Sequence, residues 1–500
     1  MDILTSLVVI PLVTVLILLF TKKLKQIRVI AAIGMSIQLL QCIRLLFIYM
    51  AERSSGNKAE MILQNTFQWF ESINIQYSVG VDGISVLMIL LTGIVIFSGV
   101  FASWNVSYLS KEFFVSLIVL TTGVFGFFIS LDLFLLFLFY ELSVLPMYLL
   151  IGVWGTGKKE YSAMKLTLML MGGSALLLVG LLGIYFNSAP EGGQLTFNIL
   201  EIAKVNIPIE AQRFFFPLTF IGFGVLGALF PFHTWSPDGH SSAPTAVSML
   251  HAGVLMKLGG YGAFRVAMYL LPEAANEMAW IFIILTATSV IYGALGAIMQ
   301  TDLKYINAYS SVSHCGLVLF AVLMINKIAF NGAILQMLSH GLMTALFFAL
   351  IGMIYERTGT RDIKKMGGLM KVMPFLAVAY VIAGFASLGL PGLSGFVAEM
   401  TIFVGAFQND NIFHRVTTII AISSIVVTAV YILRVVGKIL LGPVKDKDHN
   451  LITDAIWYEK IPVFLLLFTI VAMGIAPLWI SDMILESLQP LVNKLVMISN

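Results

Sequence analysis

Three ionisable residues stand inside long apolar stretches of this 500-residue sequence: Glu141, Lys257 and Glu399. A formal charge at the centre of a lipid bilayer costs about 2.5–3.5 kcal/mol on insertion scales. None of the three has an opposite charge close by in sequence that could neutralise it. Since such groups are tolerated where they line a polar interior, the pattern favours a path for a small cation, most simply a proton, through a membrane protein.

Two histidines, His314 and His340, fall in later apolar stretches. Histidine changes its charge near neutral pH, so both could relay a proton. All five residues also have a purely structural interpretation. The two acids and the lysine could form buried ion pairs, and the histidines could be hydrogen-bonded packing residues, so the residue types alone leave both interpretations open.

The composition indicates which elements must hold these residues. The sequence is 59% hydrophobic and 11% charged, with a mean hydropathy of +0.96, which is not the composition of a soluble globular protein. Stretches of about 20 apolar residues, each long enough to cross a hydrocarbon core, recur along the chain. We therefore predict an all-α polytopic membrane protein with about fourteen transmembrane spans. These lie at about 3–21, 29–50, 83–104, 113–130, 132–154, 163–186, 214–235, 244–271, 278–300, 305–326, 329–355, 373–407, 413–440 and 461–482.

Two of the predicted spans contain helix-breaking residues. Span seven has three glycines followed by Pro231, and span twelve has Pro391 within the sequence LGLPGLSG at 388–395. Proline removes a backbone donor and clashes with the preceding turn, so both spans should be discontinuous. Broken helices in matching places are typical of transporters with two inverted repeats, here five helices each in spans 4–8 and 9–13. A pair of ordinary kinks is the alternative.

We expect a single membrane domain over residues 1–500, because no linker or low-complexity run divides the chain. Within it, 1–111 should contain spans one to three, 112–271 the first repeat, and 272–440 the second repeat. The remaining residues, 441–500, should contain the last span and an amphipathic tail.

Lysine and arginine concentrate in the links between spans one and two, five and six, and eleven and twelve. All these links fall on one side of the membrane if the count is fourteen, and the positive-inside rule makes that side cytoplasmic. Both termini are then expected on the periplasmic side of a bacterial inner membrane.

Several other classes are disfavoured. The net charge of +3 is too small to suggest a nucleic-acid partner. Cys42 and Cys315 both fall within spans, so we expect neither a disulfide framework nor a thiolate metal site. The sequence has no CxxC cluster, haem-attachment motif or credible nucleotide loop. We therefore expect no cofactor and no metal in this chain.

Residues 231–246, PFHTWSPDGHSSAPTA, closely resemble the PFHTWLPDAHxxAPT signature of the antiporter-like subunits of respiratory complex I. The resemblance extends over essentially the whole chain, including GVLMKLGGYG at 253–262 and LPGLSGF at 390–396. A glutamate at Glu399, where other branches carry lysine, is typical of the branch called subunit M or chain 4 in NADH-quinone oxidoreductases. The resemblance implies a proton-translocating membrane subunit that couples quinone reduction in partner subunits to proton transfer.

The resemblance also implies a role for each candidate residue. Glu141 becomes the span-five carboxylate that couples to the neighbouring subunit, Lys257 the central lysine of span eight, and Glu399 the span-twelve group towards the outlet or the next subunit. His314 and His340 take the places of the family's connecting histidines.

Further implications concern the signature and the partners. His233, Asp238 and His240 belong to the signature around the inner end of span seven. The expected partners are L-like and N-like antiporter subunits, the lipid bilayer and protons. Flavin, iron–sulfur clusters and quinone are expected in partner subunits, so this chain would be a subunit of a translocase without a redox centre of its own.

The chain departs from the family at two positions. The family usually carries a lysine on span seven, five residues before the signature proline, as the partner of the span-five glutamate; here that position is Leu226. Conversely, His251 stands on span eight, where the subunit M branch usually has an apolar residue. Either His251 or water replaces the missing cation and transport persists, or this copy is a non-pumping structural spacer. A subunit of a related cation/proton antiporter or membrane-bound hydrogenase is a further alternative, although lysine would be expected there at position 399.

Overall fold

The described part of the chain is mostly helical. The computed structural model describes residues 2–189, 193–409 and 411–499. Its first half contains α1 (Ile3–Leu19), α2 (Leu24–Ser54), β1 (Ile62–Phe70), β2 (Ile75–Val81), α3 (Gly83–Ala102), α4 (Ser110–Ile129), α5 (Leu133–Trp154), α6 (Lys159–Phe186), α7 (Ile199–Ile202), α8 (Ile209–Leu226), α9 (Trp235–Ser242), α10 (Thr245–Leu250) and α11 (Met256–Gly262). The second half contains α12 (Pro272–Met299), α13 (Leu303–Leu323), α14 (Lys327–Thr358), α15 (Leu369–Val372), α16 (Pro374–Ser387), α17 (Ser394–Phe407), α18 (Ile412–Leu440), α19 (Trp457–Ile475) and α20 (Leu478–Ser499).

Most of the predicted spans are single long helices. In the described part of the chain, 11 helices are long and apolar enough to cross a membrane, and each coincides with a predicted span. The other three predicted spans are shorter or segmented: span one is the 17-residue α1, span eight is built from several segments, and span twelve is the pair α16 and α17. The polytopic helical fold is therefore confirmed, while the count of fourteen stays a prediction.

Span seven is broken where the sequence predicts. The helix α8 ends at Leu226, and Ala228 then adopts the left-handed conformation with a φ of 55°. The backbone N–H of Phe230 donates to Oγ of Ser289 on α12 at 2.7 Å. Irregular backbone at membrane depth persists only where protein or water satisfies its polar groups, and here a neighbouring helix does so. The expected break at Pro231 is confirmed.

Span twelve is broken in the same manner. The helix α16 ends at Ser387 and α17 begins at Ser394. Between them, Gly389 and Gly392 have φ angles of +66° and +88°, in the left-handed region that a side chain disfavours. The turn around Pro391 therefore depends on these glycines, and the predicted break is confirmed.

Span eight is one uninterrupted helical stretch, but part of it departs from α-helical geometry. Two π-helical turns, His251–Leu255 and Ala263–Met268, flank the seven-residue α11. Each π turn widens the helix locally and changes which side chains share a face. Lys257 lies directly after the first of these turns.

The helix α14 occupies the centre of the molecule. The apolar window of α14 is 100% buried, whereas the windows of α18 and α19 are each 33% buried. Glycines allow α17 to pack closely on it: a Cβ on Gly405 would collide with the backbone of Ala329. This close approach brings the broken span twelve against the central helix.

Two elements, a β-hairpin and the tail helix, cover the helix ends that lie opposite the basic links. The link after α2 contains the antiparallel hairpin β1–β2, in which Ile62 pairs with Val81 and Phe70 with Ile75. This hairpin is an addition to the helical prediction. The predicted amphipathic tail lies within α20, where Ser487 Oγ accepts a hydrogen bond from the backbone N–H of Gly83 at 2.8 Å. The tail thus packs on the start of α3.

Candidate functional site

Lys257 is buried at the start of α11, with only 2% of its surface exposed. Its Nζ donates to the carbonyl oxygen of Ala252, in the preceding π turn, and lies 2.8 Å from Nδ1 of His340 on α14. A buried ammonium is costly unless it is paired and hydrogen-bonded. In the described part of the chain, however, no carboxylate forms an ion pair with Lys257. Its proton can instead pass directly to an imidazole nitrogen.

A second buried contact continues from His340 towards span twelve. The rings of His340 and His314 have centroids 5.2 Å apart, and Nδ1 of His314 lies 3.4 Å from Oε1 of Glu399. The three side chains come from α14, α13 and α17, and each residue is at most 7% exposed. Four of the five predicted proton-transfer residues are thus brought together, and we call Lys257, His340, His314 and Glu399 the central row.

The contact between His314 and Glu399 accommodates two protonation states. A protonated Nδ1 can donate to a carboxylate, and a neutral Nδ1 can accept from a protonated carboxyl group. The side-chain amide nitrogen of Gln336, 3.0 Å from the same Nδ1, can donate to it in place of the carboxyl group when this Nδ1 carries no proton. The site can therefore hold one proton on either side of this contact.

A small cavity adjoins the lysine end of the central row. Its volume is about 10 Å³, close to the smallest space that holds one water molecule. Cys315, one of its lining residues, places Sγ 3.9 Å from Nδ1 of His340. The lining residues are Gly227, Met256, Lys257, Gly260, Cys315, Val318, Leu319 and Met337. A single polar molecule next to Lys257 would therefore fit with little rearrangement.

Two signature residues lie just after the break in span seven: Asp238, which is partly exposed, and His233, which is buried. Asp238 accepts from Nζ of Lys165 at 2.7 Å and from the hydroxyl of Tyr305 at 3.0 Å. His233 lies with its ring centroid 4.8 Å from that of Tyr292. These contacts fasten α9 to α6 and α13, beside a cavity that opens near the basic links.

A third signature residue, His240, is completely buried. Its ring centroid lies 4.3 Å from that of His251 and 5.2 Å from that of Phe348. His251 in turn stacks on Trp235 at 5.0 Å. Within the described residues, none of the four ring nitrogens of the two histidines has a hydrogen-bond partner.

Comparison with known proteins identifies the family. Residues 130–427 match the family model described as "NADH:quinone oxidoreductase/Mrp antiporter, TM". The chain belongs to this family. NAD(P)H-quinone oxidoreductase chain 4-2 of Synechocystis sp. is 40% identical over 395 residues, covering 78% of this chain and 70% of that protein. NADH-quinone oxidoreductase subunit M of Rickettsia prowazekii is 36% identical over 470 residues, covering 93% of this chain and 94% of that protein.

The fold of this chain also matches that of a chain in a known structure. A chain in the structure of respiratory complex I from Thermus thermophilus with bound NADH superposes with a TM-score of 0.88 at 24% identity, covering 99% of this chain and 100% of that one. The predicted family is therefore confirmed, together with the relation to chains named subunit M and chain 4.

Glu141 lies apart from the central row of this antiporter-like chain. It is partly exposed on α5, and in the described part of the chain its buried Oε1 has no hydrogen-bond partner. Leu226, at the family's lysine position, is completely buried. His251 has no hydrogen bond to Glu141, so its predicted role as a replacement cation has no contact to support it and stays a prediction.

The sequence did not single out two neighbours of the central row. Gln336 hydrogen-bonds His314, and it lies four residues before His340, on the same face of α14. Cys315 directly follows His314, and in the sequence its place within a span argues only against a disulfide framework and a thiolate metal site. Helical spacing to a predicted site residue was the available signal for Gln336. Among the described residues, no group of three or more His, Cys, Asp and Glu side chains could hold a metal ion.

Proposed function

We propose that this chain is a proton-translocating subunit in the membrane arm of a complex I-type assembly. The observation that carries the proposal is the central row, which joins four titratable side chains from four helix segments across the middle of the protein. Lys257 stores the proton, His340 and His314 relay it, and Glu399 releases it or passes the electrostatic change onward.

The energy required is modest for such a row. Moving one charge against a membrane potential of 100 mV costs about 2.3 kcal/mol. One pKa unit corresponds to about 1.36 kcal/mol, so a change of about two units in relative proton affinity suffices. Small rearrangements at the broken span twelve, which carries Glu399, can supply this change in proton affinity, because burial makes the pKa of each group sensitive to its neighbours.

The remaining parts of the proposal concern the assembly. Subunits resembling L and N of complex I flank this chain, and flavin, iron–sulfur clusters and quinone belong to other subunits. Glu141, partly exposed on α5, receives the signal from a neighbour. The basic links face the cytoplasm of a bacterial cell and both termini face the periplasm, as the positive-inside rule requires.

The central test is Lys257→Ala in the assembled complex. Inverted membrane vesicles report proton uptake by dye quenching, and quinone reduction is followed in the same sample. We expect the ratio of protons pumped to electrons transferred to fall, since the storing amine is gone. The matched control is Lys365→Ala at an exposed lysine of the inner link. An unchanged ratio in an assembled Lys257→Ala complex would rule the proposal out.

The second candidate function is a non-pumping spacer, favoured by Leu226 and by the unpartnered Oε1 of Glu141. Restoring the family's lysine with Leu226→Lys distinguishes the two. A spacer should gain pumping from this change, whereas a chain that already pumps through the central row should not. The same vesicle assay gives the answer.

A further inference from the structure

One arginine stands on the exposed face of a long apolar helix without a partner. Arg44 is exposed on α2, and in the described part of the chain it has no hydrogen bond, ion pair or contact with an aromatic ring. Arg53, at the end of the same helix, donates instead to the hydroxyl of Tyr49 at 3.0 Å. A charge within an apolar span is costly unless a partner binds it. The guanidinium of Arg44 is therefore free for a partner from outside this chain.

The depth of Arg44 in the membrane follows from the length of α2. Lys25 lies exposed in the first turn of this helix, among the basic residues that mark its inner end. Arg44 lies 19 residues further along. This separation is a rise of about 29 Å, close to the thickness of a hydrocarbon core of about 30 Å. One turn before Arg44, Gln41 donates to Oγ of Ser6 near the start of α1, where the first span also ends. Arg44 thus lies at the depth of the lipid phosphates.

An apolar groove opens between α1 and α2, deeper in the hydrocarbon region. Its volume is about 330 Å³, within the usual range for small-molecule sites. The buried residues Gly34 and Thr14 form its floor, and a Cβ on Gly34 would collide with the Thr14 side chain. The exposed residues on its rim are Val13, Ile17, Ile33 and Ile37. The groove is therefore long, apolar and open to the lipid.

Arg44 and the groove share one face of α2. Exposed residues follow one another along this face at intervals of four and three residues: Ile33, Ile37, Leu40, Arg44 and Phe47. This spacing places them on a single stripe of the helix. Arg44 lies two turns beyond Ile37, a rise of about 11 Å. Because helical side chains lean towards the N-terminus, the Arg44 side chain leans towards the groove. A cation at phosphate depth thus stands over one end of an apolar groove.

We propose that Arg44 and this groove form a binding site for one anionic phospholipid. The guanidinium binds the phosphate of the headgroup, and an acyl chain occupies the groove. Arginine presents its N–H donors as a planar fork that matches a phosphate with two parallel hydrogen bonds. The bound lipid neutralises the charge and covers the apolar surface at the same time. The site is independent of the proposed proton transfer, because none of its residues belongs to the central row.

A helix of a neighbouring subunit is the competing occupant. Helices in membranes approach each other closely through small residues. The small residues Ala31, Ala32 and Gly34 of α2 are buried against the chain itself, whereas the exposed stripe from Ile33 to Phe47 consists of large side chains. A fluid acyl chain can follow such an uneven surface, so these residues favour a lipid.

The experiment uses the assembled complex in phosphatidylcholine vesicles. Phosphatidylglycerol with a photoreactive diazirine in its acyl chain is the probe, and phosphatidylcholine with the same chain is the matched probe. Illumination and mass spectrometry of the peptides then measure labelling of α1 and α2. We expect phosphatidylglycerol to label the groove about fivefold more, since one basic residue contributes about 1 kcal/mol to anionic lipid binding. Equal labelling would indicate ordinary surrounding lipid and overturn the proposal. No labelling by either lipid would show that a protein covers this face, which would also overturn it.

Two variants test the two parts of the site separately. Arg44→Gln removes the charge and should lower labelling by phosphatidylglycerol to the level of phosphatidylcholine. Its control is Lys58→Gln, at an exposed lysine in the link after α2, which should keep the preference. Val13→Phe fills the groove and should lower labelling there by both lipids. Its control is Leu16→Phe, exposed on α1 but outside the groove. A preference that survives Arg44→Gln, or full groove labelling in Val13→Phe, would overturn the proposal.

Discussion

Lys257 differs from two ion-paired cations of this chain, Arg265 and Arg357, in what it contacts. Arg265 pairs with Asp82 at one end of span eight, and Arg357 pairs with Glu459 at 2.5 Å. Removing one partner of such a buried pair typically costs about 3–5 kcal/mol, so those charges are fixed in place. Lys257 has an imidazole instead of a carboxylate, and a neutral partner leaves its proton free to transfer. Under the proposed function, this difference in partner distinguishes the two structural charges from the charge that takes part in transport.

Glu399→Gln tests the far end of the central row. Glutamine keeps the size of the side chain but cannot accept the proton that His314 delivers. Proton transfer by a positioned side chain contributes about 100-fold or more in rate, so flux through this subunit should fall by about that factor. Pumping by the whole complex should then drop to what neighbouring subunits carry, as measured by dye quenching in vesicles.

The matched control is Glu210→Gln, at a carboxylate whose side chain is 80% exposed in a surface pair with Arg213. Its pumping should equal that of the wild type. Full pumping by Glu399→Gln would show that protons leave the central row before they reach span twelve.

At the scale of elements, the breaks were predictable and the π turns were not. Proline and glycine disfavour a continuous helix wherever they occur, so Pro231 and Pro391 indicate the broken spans directly. The π turn at His251–Leu255 has no such residue signature, because the sequence there is apolar and helical in either geometry. Its position depends on how span eight packs against α14, which is a tertiary property.

The same distinction applies to the candidate site. The residue types in apolar surroundings identified all four members of the central row. The resemblance implied that the two histidines connect Lys257 to Glu399. Which histidine adjoins Lys257 could not be predicted, since it depends on close helix packing such as that of α17 on α14.

The hydrogen bonds of Asp132 at the start of α5 can be tested for their contribution to stability. Its Oδ1 accepts from the backbone N–H groups of Phe134 and Leu135, capping α5, and its Oδ2 accepts from that of Gln76 in β2. Losing an N-cap costs about 0.5–2 kcal/mol, and an unsatisfied buried donor adds about 1–3 kcal/mol. Asp132→Ala should therefore lower the thermal unfolding temperature of the purified complex clearly.

A matched comparison is Asn411→Ala at the exposed N-cap of α18, where the side chain accepts a single hydrogen bond, from Phe413. Its effect on the unfolding temperature should be smaller. Equal effects of the two substitutions would show that the link from Asp132 to the hairpin adds nothing to the cap.

At the scale of the whole molecule, the tail helix α20 ties distant elements together. Nζ of Lys327 at the start of α14 donates to Gln489, and Nζ of Lys494 donates to the carbonyl of Ala203 at 2.8 Å. Together with the bond from Gly83 to Ser487, these contacts make α20 a brace across α3, α14 and the link before α8. The brace spans both predicted repeats.

The attachment of this brace should depend on pH. Burial lowers the pKa of Lys494 from 10.5 to about 8, and the nearby Glu60 only partly opposes this. The docked tail then binds fewer protons than the free tail between about pH 8 and 10.5, so docking strengthens as pH rises through that window. A spin label at Asn493→Cys should become less mobile from pH 7 to pH 10. Lys494→Met should abolish this dependence, and a pH effect that persists would assign it to another group.

The orientation of the whole molecule follows from the distribution of its charges and can be tested by labelling. Both native cysteines, Cys42 and Cys315, are buried, so an introduced surface cysteine should dominate labelling by a membrane-impermeant maleimide. Ser55, after α2, and Lys364, in the basic link after α14, are both exposed and lie on opposite sides in the predicted topology. Because positively charged links are retained in the cytoplasm, Ser55→Cys should react in intact cells and Lys364→Cys only in inverted vesicles. The reverse pattern would place the basic links on the periplasmic side. Equal labelling of both sites in intact cells would contradict the predicted number of spans between them.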